Sequence, residues 1–154
     1  MVTDKFLVGE RLLLTLWVGG MWAIGYMAVP TLFVILDDRQ VAGMLAGQMF
    51  KIIYIVGFVA SLILLLSLFF KQGVAVVKHW RTWVLGLAFI LIALGLFVLQ
   101  PAMKEVKSQG FTAGSEQAAT FDKLHKASST MYTVTSLCGL ILVVSGIRRR
   151  ERAI

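Results

Sequence analysis

The sequence predicts an all-α, polytopic membrane protein: a bundle of four transmembrane helices with the second and fourth extended on the non-cytoplasmic side. Three observations carry this. The 154 residues are 58% hydrophobic with a mean hydropathy of +0.85, far above the soluble range. Four runs free of Asp, Glu, Lys and Arg, Leu12 to Leu36, Ile52 to Phe70, Thr82 to Met103 and Ala127 to Ile147, each approach the roughly 20 residues that cross a ~30 Å hydrocarbon core. The connections are too short for a second domain. Residues 1–154 therefore read as one integral membrane domain with spans at about 12–36, 50–70, 82–101 and 124–147.

Charge sets the expected orientation. With both termini and the Lys71–Arg81 turn on one side, that side carries nine basic and three acidic residues, a net +6; the other carries six basic and five acidic, a net +1. By the positive-inside rule both termini are cytoplasmic and the protein lies in the inner (plasma) membrane. The net charge of +7 then reflects topology and anionic headgroups, and nothing in it points to nucleic acid. Arg148 to Arg152 read as a stop-transfer flank.

The first run, at 25 residues, is too long for a signal h-region and lacks a small-x-small cleavage site, so it reads as a retained signal anchor. Thr15, Gly19, Trp22, Ala23, Tyr26, Pro30 and Phe33 share one face at helical spacing and predict a packing seam. Pro30 predicts a kink. Asp37 with Gln40 resembles a capping box that opens the second helix at about Asp38. A helix from there to Phe70 would span about 50 Å, so its first turns lie outside the hydrocarbon. Its strip of Ala42, Gly43, Ala46 and Gly47 suits close packing.

Lys71 to Arg81 reads as a short turn in which His79 is an interfacial neighbour of Trp80. The third span aligns Gly86, Ala93 and Gln100 on one line and is expected to end at Pro101. A polar loop follows to Gly114. Ser115 and Glu116 open the last helix, expected to run to about Ile147. The two hairpins echo one another: Leu32-Phe33-Val34 matches Leu96-Phe97-Val98, and Ala42-Gly43 precedes Phe50 as Ala113-Gly114 precedes Phe121. Such a duplication implies an axis along the membrane normal.

The candidate site lies on the last helix. At ~100° per residue, His125, Ser128, Ser129, Tyr132, Thr135, Ser136 and Gly139 fall near one line, with Asp122 beside it. Hydroxyls facing lipid have no water to bond, so this stripe is expected to face other helices or a wet crevice. Tyr26, His125, Ser128, Tyr132 and Thr135 would line such a crevice. Cys138 reads as a buried, inert thiol, since a lone cysteine supports neither a disulfide nor a thiolate metal site.

Three blocks, Leu16-Trp17-Val18-Gly19-Gly20 through Val29-Pro30-Thr31-Leu32-Phe33, Ala42-Gly43 to Phe50, and Phe121-Asp122-Lys123-Leu124-His125-Lys126-Ala127-Ser128-Ser129, resemble the transmembrane protein 205-like family, an uncharacterised four-span domain in bacteria. The resemblance covers nearly the whole chain and implies the four-span fold. It also implies a distant kinship with CopD-like membrane proteins, some of which handle copper or haem. Haem-handling relatives carry a His in an early span, and the first span here has none.

Paired carboxylates, HExxH, a P-loop and a dinucleotide fingerprint are all missing from the sequence, which leans the reading away from an enzyme. The expected role is an accessory or scaffold subunit whose partners are the lipid bilayer and other membrane proteins or a second copy. No cofactor or metal is expected. The alternatives are haem or copper handling through His125 with a methionine, which suit imidazole and thioether donors, or a small-molecule transport accessory using the polar stripe.

Overall fold

The protein is described from a computed structural model, over residues 2–108 and 115–145. Ala113, Gly114, Ile147 and the Arg148 to Arg152 cluster lie outside the described residues. Helix α1 (Val2–Trp22) passes through a π-helical turn (Ala23–Ala28) into α2 (Val29–Ile35); α3 (Arg39–Gln72) follows. A 3-10 segment (Gly73–Lys78) leads to α4 (Trp80–Leu94), which passes through a second π-helical turn (Gly95–Leu99) into α5 (Gln100–Ser108). Helix α6 (Glu116–Ser145) is the last element of the described residues. Four continuous stretches, Val8–Ile35, Arg39–Lys71, Trp80–Ser108 and Glu116–Ser145, are long and apolar enough to cross a membrane. The chain is a multi-pass, all-α membrane protein.

The spans form a ring in chain order, each packed on its two neighbours, with the fourth returning to the first. One core fills the ring, built around Trp17, Met21, Leu64, Leu85, Ile92 and Leu142. Most other large apolar side chains are exposed, as lipid-facing residues are when the solvent is itself apolar.

Several boundaries differ from expectation for local reasons. The second helix is capped by Asp38, one residue after the anticipated position: its Oδ1 accepts from the backbone N–H of Gln40 at 2.7 Å and of Val41 at 3.3 Å. The short, extended Asp38 can reach the orphan amides of the first turn. The third span does not stop at Pro101; the chain stays helical to Ser108. Proline lacks an N–H, yet each of the two prolines follows a π turn. Val29 donates to the Ile24 carbonyl just before Pro30, and Gln100 donates to the Gly95 carbonyl just before Pro101, each five residues back. One widened turn lets the ring sit in the helix without a break.

The first span buries a face other than the expected one. Leu14, Trp17, Val18 and Met21 are buried, whereas Thr15, Gly19, Trp22, Ala23, Tyr26, Pro30 and Phe33 are exposed or line a shallow outward groove. The expected seam therefore faces away from the core. The second and fourth spans bury residues at the same helical spacing. Buried Tyr54, Gly57, Ala60, Ser61 and Leu64 recur, 78 positions later, as buried Tyr132, Thr135, Cys138, Gly139 and Leu142.

Candidate functional site

Two tyrosines meet at the centre of the bundle, Tyr54 from α3 and Tyr132 from α6, with ring centroids 6.0 Å apart and edge-to-face. Each rests in a notch cut by a glycine in a π turn. A Cβ on Gly25 would overlap Cε1 of Tyr132, and one on Gly95 would lie 2.7 Å from Cε1 of Tyr54. The absence of a side chain lets the ring approach the backbone, as small residues do between membrane helices. Phe50 packs edge-on against Tyr132 at 5.0 Å, and Tyr26 lies 6.5 Å away, itself 5.0 Å from Trp22. All three tyrosines of the chain thus belong to one aromatic cluster.

Their hydroxyls fare differently. Tyr132 donates to the Met21 carbonyl at 2.6 Å, next to where the first span changes from α to π spacing. Tyr26, 45% exposed, pairs with Ser136 at 2.9 Å. Since Ser136 gives its single proton to the Thr133 carbonyl, Tyr26 is the donor. Thr135, fully buried, donates to the Met131 carbonyl at 2.7 Å, a local bond that lets a hydroxyl sit in an apolar helix. Tyr54 is 3% exposed and its hydroxyl has no hydrogen bond of good geometry; half-buried Ser128 is the side chain that interacts with it.

His125 is exposed, well outside this cluster, stacked on Phe121 with centroids 6.1 Å apart. Asp122 and Ser129 are exposed as well. The structure therefore brings together Tyr26, Tyr132 and Thr135 with Ser136, places Ser128 against Tyr54, and leaves His125 apart. Cys138 is buried. Among the described residues no three His, Cys, Asp or Glu side chains converge.

Sequence reasoning missed two features. Glu10 is buried between the first and second spans, accepts a hydrogen bond from Ser67 Oγ, and lies 3.6 Å from Lys71 Nζ. Its signal is periodic: Glu10, Leu14, Trp17 and Met21 repeat at helical spacing, so Glu10 belongs to the buried face. Trp17 and Tyr54 were also passed over, because apolar-looking aromatics in an apolar run give no polar line to follow. Removing the carboxylate charge in Glu10→Gln is expected to destabilise by about 1 kcal/mol, since Lys71 is still partly wet and the pair is screened. Thermal melting in mild detergent reads it.

Tyr132→Phe removes only the hydroxyl and leaves the Met21 carbonyl with one partner fewer, at about 1 kcal/mol. His125→Ala, at an exposed position, is expected within ~0.5 kcal/mol of wild type. The same melting series separates them.

Comparison with known proteins adds a family. A model of the domain of unknown function DUF4149 matches residues 12–112, which includes the first three spans and both π turns. The chain belongs to the DUF4149 family. No curated protein matches the chain. No solved structure matches it. The matched DUF4149 region contains Gly25, Tyr54 and Gly95 and ends before the last helix, which supplies Tyr132 and His125.

Proposed function

We propose that this DUF4149 protein is an accessory or scaffold subunit of the inner (plasma) membrane, with both termini cytoplasmic, that assembles with other membrane proteins or with a second copy and works without a cofactor. The observation that carries this reading is the fate of the polar stripe. Tyr132 bonds the Met21 carbonyl and Tyr26 bonds Ser136, each joining the first span to the last, while Thr135 and Ser136 donate to carbonyls of their own helix. Groups used to lock helices are not held open for a substrate, in contrast to sites where convergent polar atoms wait for a ligand. The kinship with the transmembrane protein 205-like family, and through it with CopD-like proteins, belongs to this proposal; its most specific block, around Leu124 and His125, lies beyond the matched region.

A second reading has one observation in its favour. The buried Tyr54 hydroxyl lacks a good partner, so a small molecule with an acceptor atom near Ser128 would satisfy it, as a transport accessory requires. Purification from native membranes in mild detergent, followed by identification of co-purifying proteins and an absorption spectrum, tests both readings. The scaffold reading expects a stoichiometric membrane partner or a homo-oligomer and no Soret band. A one-to-one haem or copper content lost in His125→Ala would overturn it in favour of metal handling. Reporter fusions after Arg152 and between Ser108 and Ser115 are expected to report opposite sides, the first cytoplasmic.

A further inference from the structure

The turn between the second and third spans gathers charge, of which only Lys71 has a carboxylate partner among the described residues. No Asp or Glu occurs between Asp38 and Glu105. Lys71 at the end of α3 is turned to Glu10. Lys78 and Arg81 have no carboxylate partner among the described residues. Both flank the start of α4, where His79 caps without a side-chain hydrogen bond and the first turn holds no acid. A helix N-terminus carries about half a positive charge, so two cations there repel the dipole as well as one another. The Arg81 guanidinium lies 5.5 Å from the Trp80 ring, and its Nε is buried with no hydrogen-bond partner. An anion at this point would relieve both repulsions, taking hydrogen bonds from the accessible end of the guanidinium.

The surroundings say which anion. Val74, Val77, Trp80 and Trp83 are all more than half exposed around the same turn, and two membrane spans end at it. Exposed valines and tryptophans beside a span belong at the level where headgroups meet acyl chains. Trp83 is held in place by donating its indole N–H to the Val77 carbonyl at 2.9 Å, which ties the turn to the helix that follows. We infer that this turn is a binding site for the headgroup phosphate of an anionic phospholipid, with Lys78 and Arg81 as the phosphate ligands and Trp80 and Trp83 against the acyl-glycerol region. A zwitterionic lipid fits less well, because its own ammonium group would face the two cations. The inference does not depend on the proposed scaffold role.

The test uses the full chain in mild detergent, with native mass spectrometry and melting as readouts and three probes: phosphatidylglycerol, phosphatidylcholine with the same acyl chains, and inorganic phosphate. Wild type is expected to retain one phosphatidylglycerol in preference to phosphatidylcholine, and to melt higher with the first lipid only. Lys78→Gln with Arg81→Gln is expected to weaken phosphatidylglycerol retention roughly thirty-fold, the combined worth of two basic side chains at an anionic surface. Arg81→Lys retains part of it. Lys104→Gln, on the exposed opposite end of the third span, retains all of it. The wild-type comparison of the two lipids decides the matter if the double variant fails to fold. Equal retention of the two lipids by wild type, unchanged retention in a folded double variant, or displacement of the lipid by millimolar phosphate would each overturn the assignment.

Discussion

Trp17→Ala is expected to be among the most damaging single truncations in the chain, lowering stability by about 3 kcal/mol, while Trp22→Ala, five residues on, changes little. Trp17 is 1% exposed and Trp22 is 40% exposed. Removing a buried indole from a soluble core costs about 3 to 5 kcal/mol through lost transfer energy and the cavity left behind. The low end applies here, since helices that separate in lipid still have apolar surroundings and the loss is mainly of packing contacts. Gly57 marks the site's tightness: a Cβ there would lie 2.5 Å from Trp17 Nε1. Unfolding of both variants in mixed micelles with increasing sodium dodecyl sulfate measures the difference. Equal midpoints for the two would show that Trp17 does not sit in the core.

Gly25→Ala is expected to cost about 2 kcal/mol, within the range for forcing extra volume into a packed core. The added methyl overlaps the Tyr132 ring, and that ring is hemmed in by Phe50 and Tyr54 on its other sides and bonded to Met21. It has nowhere to retreat without breaking the bond or re-spacing the first span. Gly95→Ala should behave alike through Tyr54. Gly19→Ala is the control, because nothing lies within 4 Å of a Cβ at that position. Combining Gly25→Ala with Tyr132→Leu should cost less than the two single changes together, since the smaller side chain vacates the overlap.

The fold class was legible because membrane spans announce themselves by length and hydropathy, which are one-dimensional properties. The faces were legible only where the helix is regular. On the uninterrupted α6, extrapolation at 100° per residue put Tyr132, Thr135, Ser136 and Gly139 together, and all four are buried. On the first span the same arithmetic grouped Thr15, Gly19 and Trp22, which are exposed, with Tyr26, which is partly exposed but reaches Ser136. Two things defeated it. Small residues were read as contacts, though in lipid a glycine is as comfortable outside as inside, which misplaced Thr15, Gly19 and Trp22; beyond them the π turn at Ala23–Ala28 displaces every later residue from a straight line. The end of the stripe misled in another way: His125 continues it geometrically but is exposed, while Phe121, Leu124 and Ser128 are the half-buried residues of that stretch, with Lys107 of α5 over the Phe121 ring.

The Tyr54–Gly95 and Tyr132–Gly25 contacts could not be read from the sequence, because each joins residues 41 and 107 positions apart and uses a glycine as a recess. A pattern of apolar periodicity records protrusions; it is silent about holes.

The lengths of the helices have a consequence for reach. Helix α3 has 34 residues and α6 has 30, about 51 and 45 Å at 1.5 Å per residue. With a hydrocarbon slab of ~30 Å and Lys71 at one boundary, the far end of α3 stands roughly 20 Å clear of the hydrocarbon. Part of that height traverses headgroups and the remainder is free. The bundle is therefore a standoff as well as an anchor. Whatever docks on its tip is held at a fixed height above the bilayer, set by counting residues between Asp38 and Lys71, and four residues inserted into both helices would raise it by about 6 Å.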